Sequence, residues 1–200
     1  MELLTGMGLS ASAGLNAYIP LLALGLLARY TDTITLPSNW AWLEHPWVLG
    51  ILGVLLVVEL VADKIPVVDH VNDVLQTFVR PTSGGLAFGA ASSSETVTVA
   101  NPEQLFENNQ WVPIVIGMVV SFCIHAMKAA IRPVINAMTA GFGAPIVSTA
   151  EDITSVAMAL VAILLPVLVI VLFIGMIAFF WWALRRRRLR RQAKLAARYQ

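Results

Sequence analysis

Ionisable residues recur beside and within apolar stretches of this 200-residue chain. Glu59 and Asp63 are four residues apart, so a helix would present both carboxylates on one face. Lys64 and Lys128 each follow an apolar run and could neutralise these acids. Because a charge in hydrocarbon is costly and usually faces a bundle interior or water, the pattern could indicate a cation or proton site. The alternative is an interfacial pair whose side chains reach back to the polar boundary.

A basic helix face is the second pattern with chemical potential. His125, Lys128 and Arg132 recur at intervals of three and four, so they would lie close together on one face. Such a face could attract a phosphate or carboxylate, or could simply follow the excess of basic residues on the cytoplasmic side. If a polar path exists, the residues predicted to line it are Asn16, Glu59, Asp63, Lys64, Asp69, Asp73, Lys128, Arg132 and Asn136.

The segment 63–85 contains many charges between two apolar stretches, and it predicts an elbow at the cytoplasmic membrane face. After Pro66 the apolar and polar residues alternate at helical spacing, which is typical of an amphipathic helix. Its polar face could line a cavity or lie in the membrane interface. That face would carry Asp69, Asp73, Gln76 and Arg80.

The segment "STAEDITS" predicts the beginning of a long helix. Ser148 or Thr149 would cap the first turn, and Glu151 and Asp152 would lie in that turn, where acids complement the positive end of the helix. We therefore interpret these four residues as structural.

Motifs for catalysis and metal binding are missing from the sequence. Cys123 is the only cysteine, which excludes an internal disulfide and a thiolate metal cluster, and it is expected to be a small apolar filler within a helix. There is no Cys/His cluster, no nucleotide-binding loop and no catalytic Ser-His-Asp order. We expect no metal, no cofactor and no enzymatic activity.

The composition indicates an all-α integral membrane protein. The residues are 58% hydrophobic and 12% charged, and the mean hydropathy is +0.78. Soluble domains contain about a quarter charged residues. About six transmembrane helices are predicted, with apolar runs at 3–28, 47–62, 84–100, 111–130 and 153–184.

Some of these spans leave alternatives open. The run 3–28 is interrupted near Asn16 and Pro20, and its small residues would let another helix approach closely. The segments 84–100 and 133–150 could cross the membrane or re-enter it. The run 153–184 exceeds the bilayer core, so it would tilt, kink near Pro166 or project into water.

An internal duplication is predicted from a self-comparison at an offset of 64 residues. The unit 47–85 aligns with the unit 111–149, each reading as a span followed by a Gly/Ser/Pro-broken helix. Duplicated units of this kind are common in transporters. The coinciding pairs include Trp47 with Trp111, Lys64 with Lys128, Asn72 with Asn136 and Pro81 with Pro145.

The chain divides into a membrane domain at 1–184 and a basic tail at 185–200. Basic residues next to a span remain cytoplasmic, so both termini are expected on the cytoplasmic side of the membrane. A tail of this kind attracts anionic lipids, and we expect no nucleic acid partner. The lipid-facing arginines would be Arg185, Arg186, Arg187, Arg188, Arg190 and Arg191.

Three stretches of the sequence resemble a known family: "GLNAYIPLLALGLLARY", "DKIPVVDHVNDVLQTFVRPTSGG" and "GFGAPIVSTAEDITS". They are similar to the bacterial, actinobacterial-type membrane proteins of domain-of-unknown-function family 4126. The resemblance extends from about Leu3 to Phe180. It implies a multi-pass inner-membrane protein and brings no assigned activity and no functional residues.

These observations favour a small-solute or ion transporter or channel, with a polar path between the two repeats. One alternative is a non-transporting scaffold that binds a partner or anionic lipid through its basic tail. A second is a lipid-active membrane enzyme. The solute is not specified by the sequence, and a homo-oligomer is compatible with it.

Overall fold

A computed structural model describes residues 2–92, 111–139, 142–171 and 174, apart from the side chains of residues 66, 67, 69, 70 and 136. All elements within these ranges are helical, which confirms the all-α prediction. The helices are α1 (Glu2–Leu15), α2 (Ile19–Tyr30), α3 (Pro46–Ala62), α4 (Pro66–Ser92), α5 (Trp111–Thr139) and α6 (Ala144–Leu164), with a 3-10 turn at Ala41–Glu44.

The first apolar run is broken into two helices, α1 and α2. The amide nitrogens of Tyr18 and Ile19 donate to Oδ1 of Asn16, at 3.1 and 3.3 Å, and so are satisfied outside a continuous helix. Pro20 lies in the first turn of α2. Backbone N–H groups in the first turn make no intrahelical hydrogen bond, so the missing N–H of proline costs nothing there. The interruption predicted near Asn16 and Pro20 is therefore confirmed.

Helix α4 is longer than the sequence pattern predicts. It runs through 27 residues, about 40 Å, and includes Pro81 and both glycines of the "PTSGG" stretch. Gly84 lies well inside α4, so the segment predicted from 84 onward continues the amphipathic helix, and its crossing or re-entry stays a prediction. Residues 93–100 of that predicted segment lie outside the described residues.

Helix α1 lies against α4, α5 and α6, and its small residues allow this close packing. A Cβ added at Gly8 would lie 2.5 Å from Cβ of Ala162 on α6. Helices α4 and α5 approach each other closely where Gly84 faces Gly117. The prediction that small residues of the first run receive a neighbouring helix is confirmed.

The polarity of α4 is inverted with respect to a soluble protein. Gln76 and Arg80 are buried in the bundle, whereas Val74 and Phe78 are 60% and 75% exposed. The polar stripe therefore faces the other helices, and not a membrane interface. The side chain of Asp69, predicted for the same stripe, lies outside the described residues.

Helices α5 and α6 are each long and apolar enough to cross a membrane, judged by length and composition. Helix α6 ends at Leu164, and helical structure resumes at 167–171 after Pro166, which confirms the predicted break. Cys123 lies within a helix, α5, as predicted, and its side chain is exposed.

The two predicted repeat units differ in where their helices break. The chain leaves helical structure between α3 and α4 around Lys64, but α5 continues through the equivalent Lys128. The duplication itself stays a prediction, as does the number of crossings.

Candidate functional site

Ion pairs join four acids to four bases across four elements of the described structure. We call this set the ionic network. Six of these residues form one connected cluster, and Lys64 with Asp152 forms a separate pair beside it. Helix α3 and the link to α4 contribute three members, α4 one, α5 two and α6 two. The members are Glu59, Asp63, Lys64, Arg80, Lys128, Arg132, Glu151 and Asp152.

The pair of Glu59 and Arg80 is the most deeply buried part of the network. Nη2 of Arg80 donates to Oε1 of Glu59 at 2.8 Å, and both side chains are essentially inaccessible to solvent. Oε2 of Glu59 accepts the amide of Ala17, in the break between α1 and α2, at 3.2 Å. Nη1 of Arg80 lies 3.0 Å from Nδ1 of His125. The pair therefore joins α3, α4 and α5 to the broken helix.

Asp63 is the hub of the network. Its Oδ2 lies 3.1 Å from Nζ of Lys128, 3.2 Å from Nη2 of Arg132 and 3.5 Å from Nη2 of Arg80. Its Oδ1 accepts Nδ2 of Asn72 at 2.9 Å. Burial acts to raise the pKa of Asp63, but the charges of Lys128, Arg80 and Arg132 together hold that pKa below its usual value.

Helix α6 supplies Glu151 to the same cations. Oε2 of Glu151 lies 2.6 Å from Nη2 of Arg132 and 3.1 Å from Nζ of Lys128. Lys128 also donates to the carbonyl of Leu15, at the end of α1, at 3.0 Å. A carbonyl at a helix C-terminus lacks an intrahelical donor, so Lys128 satisfies it.

Asp152 pairs with Lys64, the most exposed member of the network. Nδ2 of Asn16 donates to its Oδ1 at 3.1 Å, and Nζ of Lys64 lies 3.6 Å from its Oδ2. Lys64 also donates to the carbonyl of Leu60, and 40% of its side chain is exposed. One helical turn away on α6, Ser148 is fully buried.

The chain matches one protein-family model. Residues 3–186 match the model for a domain of unknown function, DUF4126. The chain belongs to the DUF4126 family. The matched region contains all eight members of the ionic network, and the predicted resemblance is confirmed. No curated protein and no solved structure matches the chain.

In this DUF4126 protein, six of the nine residues predicted to line a polar path belong to the ionic network or contact it. Glu59, Asp63, Lys64, Lys128 and Arg132 are network members. Asn16 contacts the network through Asp152.

The remaining three predicted residues are not placed in the network. Asp73 is half-buried and forms no ion pair with the described side chains, although its carbonyl accepts Thr77. The side chains of Asp69 and Asn136 lie outside the described residues.

The position at which α6 begins shows that the structural roles predicted around Ser148 are wrong. That helix starts at Ala144, with Gly143 in the capping position and Pro145 in its first turn. Glu151 and Asp152 therefore lie beyond the first turn and act as network acids. Ser148 is buried further along the helix, and Thr149 donates to the carbonyl of Pro145, so neither caps it.

Three network members were omitted from the predicted path: Glu151 and Asp152 were interpreted as structural, and Arg80 was given no site role. The sequence contained a signal for Arg80, because this residue belonged to the predicted polar stripe of α4 and lay close to a weakly apolar segment. The predicted basic face of α5 does attract carboxylates, but those of Asp63 and Glu151 from within the protein. The arginines of the predicted tail lie outside the described residues.

Proposed function

We propose that this chain is a multi-pass integral membrane protein that transports a small solute or an ion past the ionic network. One observation carries the proposal: the charged side chains are gathered inside the helix bundle, whereas large apolar side chains cover its outside.

The exposed apolar surface supports a membrane setting. Phe78 on α4, Val119 on α5 and Ile153 on α6 are all exposed, and many other large apolar side chains accompany them. A soluble monomer rarely exposes apolar patches larger than a few hundred Å². In a bilayer the same surface contacts lipid tails at no cost, and the lengths of α5 and α6 are suitable for crossing.

The buried charges support transport over a passive scaffold. Ionisable residues within membrane segments are costly, and they commonly mark ion or substrate pathways. The network also reaches the break between α1 and α2, where Ala17 donates its amide to Glu59. Broken helices of this kind form the substrate and ion sites of many transporters.

The network has the connectivity that a gate requires. Asp63 holds cations from α4 and α5, and Glu151 of α6 shares two of them. Since these pairs connect α3, α4, α5 and α6, a solute that passes between these helices would need at least one pair to open. Opening leaves charges unpaired unless the solute or water replaces the lost partner.

Flux into reconstituted vesicles tests the proposal. Wild-type protein should carry a labelled ion or small anion, and Asp63→Asn and Lys128→Ala should each reduce this flux. Asp32→Asn is the matched control, because Asp32 is exposed in the loop after α2. Equal flux for all variants would remove these residues from the path, and absence of wild-type flux across a broad ion and small-solute panel would overturn transport.

Folding must be checked beside flux, because Lys128→Ala leaves Asp63 with one cation fewer. The double variant Asp63→Asn with Lys128→Gln removes one charge of each sign and leaves the net charge unchanged. If that variant folds normally and still carries solute at the wild-type rate, the network is a structural support only.

A further inference from the structure

Asp152 is more loosely compensated than the other network acids, since even Glu59, which also has one cation and one neutral donor, holds its cation at 2.8 Å. Asp63 contacts three cations and an amide, and Glu151 contacts two cations. Asp152 receives one neutral hydrogen bond, from Asn16, and faces the half-exposed Lys64 at 3.6 Å. Its negative charge is therefore the least neutralised within the network.

Two buried oxygens on α6 are open to a ligand. Within the described part of the chain, neither Oδ2 of Asp152 nor Oγ of Ser148 has a hydrogen-bond partner. The two residues are four apart, so they lie on the same face of α6, one turn from each other. Ser148 has 0% exposure. A fully buried hydroxyl without a partner costs free energy, which a ligand at this position would recover.

In the rest of the network the acids are already paired closely with bases. Three acids, Glu59, Asp63 and Glu151, are matched by three bases, Arg80, Lys128 and Arg132, among the described side chains. An added ion at that part would break existing pairs. At Asp152 only Lys64 must withdraw, and 40% of its side chain already contacts solvent.

We propose that Asp152 and Ser148 form a binding site for a small monovalent cation, a proton or a sodium ion. The inference rests on the proposed transport function, since it makes this cation the coupling ion. In the structure Nζ of Lys64 lies 3.6 Å from Oδ2 of Asp152. In the loaded state the cation takes that place, and Lys64 turns toward solvent.

The chemistry of the site selects a hard cation of low charge. Carboxylate and hydroxyl oxygens suit hard cations, whereas transition metals prefer imidazole or thiolate. One carboxylate with a lysine nearby is too weak a cage for a divalent ion. Consistently, the described residues contain no group of three His, Cys, Asp or Glu side chains that could hold a metal.

A similar pair on α4 is less suited to the role. Oδ1 of Asp73 and Oε1 of Gln76 also have no partner among the described atoms. The Gln76 amide, however, can rotate by half a turn and present its NH2 group in place of the oxygen. Asp73 is also less buried than Asp152, and it forms no pair with a mobile cation among the described side chains.

Occupancy of the site would act on two non-helical segments of the bundle. Asn16 ties Asp152 to the break between α1 and α2, and Lys64 ties it to the link between α3 and α4. The charged groups that act electrostatically on Asp152 from the packed elements are Lys64 and Asp63 from the link and Lys128 from α5.

Thermal unfolding of the purified, detergent-solubilised protein tests binding without any need for flux. The midpoint is measured in sodium chloride and in choline chloride at equal ionic strength, and then across pH 5 to 8. For a sodium site, sodium raises the wild-type midpoint. For a proton site, sodium has no effect and the midpoint depends on pH.

Three variants distinguish a sodium site, a proton site and the absence of a cation site. Asp152→Asn should abolish the sodium response or remove the Asp152-dependent part of the pH response. Ser148→Ala loses no hydrogen bond to a described residue, so it should fold normally, yet a sodium site should lose roughly tenfold or more in affinity. Thr154→Ala, at an exposed position of the same helix, should behave as wild type.

The inference is overturned if wild type shows no sodium response and its pH response equals that of Asp152→Asn. Flux assays separate this failure from failure of the proposed function. Transport that is indifferent to Asp152→Asn, sodium and pH gradients would leave the function standing without this site. A cation response without any solute flux would leave the site standing without transport.

Discussion

Lys128 of α5 and Asp63 of the α3–α4 link form a buried 3.1 Å ion pair although they are 65 positions apart in sequence. The link between α3 and α4 is thereby anchored to the middle of α5. Arg132, one turn further along α5, contacts the same oxygen of Asp63 at 3.2 Å. Any movement of the link relative to α5 must break both contacts.

Removal of Arg80 should strongly destabilise the protein. Arg80→Met leaves the buried carboxylate of Glu59 without its cation, and such changes cost about 3–5 kcal/mol. The double variant Glu59→Gln with Arg80→Met removes both charges and should recover most of that loss. Denaturant unfolding in detergent measures both values, and an equal loss in the two variants would contradict the ion-pair account.

Acid should weaken the fold partly through Asp63. Its folded pKa is lowered from the usual 3.8, so ionised Asp63 stabilises the folded state fully above that value. The contribution is lost as the pH falls below 3.8 through the folded pKa. Between pH 5 and 2, wild type should therefore lose more stability than Asp63→Asn, as measured by thermal unfolding midpoints. Parallel pH curves for the two proteins would exclude this role.

The contact of α1 with α6 should be sensitive to a single methyl group. Gly8→Ala places a Cβ 2.5 Å from Cβ of Ala162, and overpacking of this kind costs about 1–3 kcal/mol. Adding Ala162→Gly removes the opposing methyl and should restore much of the stability. Gly50→Ala is the control, because a Cβ there meets nothing within 4 Å. A neutral Gly8→Ala would show that the two helices are not held this closely.

Cys123 provides a test of the membrane setting. It is exposed on the outer face of α5, so in water it would react readily with a thiol reagent. The control is Asp32→Cys in a Cys123→Ala background. Membranes are permeabilised so that a membrane-impermeant maleimide reaches both sides. Cys123 in the membrane should then label far more slowly than the control cysteine. Denatured samples should label equally. Equal rates in native membranes would contradict a lipid-facing position for this part of α5.

The breaks in the helices could be predicted because they depend on local chemistry. Asn16 and Pro20 interrupt the first run, and Pro166 ends α6, since a proline cannot donate a helical hydrogen bond. The beginning of α6 was mispredicted for a related reason. Ser148 and Glu151 had suitable capping chemistry, but Gly143 and Pro145 provided an earlier start.

The sequence by itself determined which residues carry charge in an apolar setting, and which of them share a helix face. It thereby indicated a helical bundle with polar residues inside and named most of the network. Only the tertiary structure decided the partners: Arg80 with Glu59, Lys128 and Arg132 with Asp63, and Asn16 with Asp152. Helical spacing is a property of neighbouring residues, whereas these pairs depend on how closely the helices approach at positions such as Gly8 and Gly84, far apart along the chain.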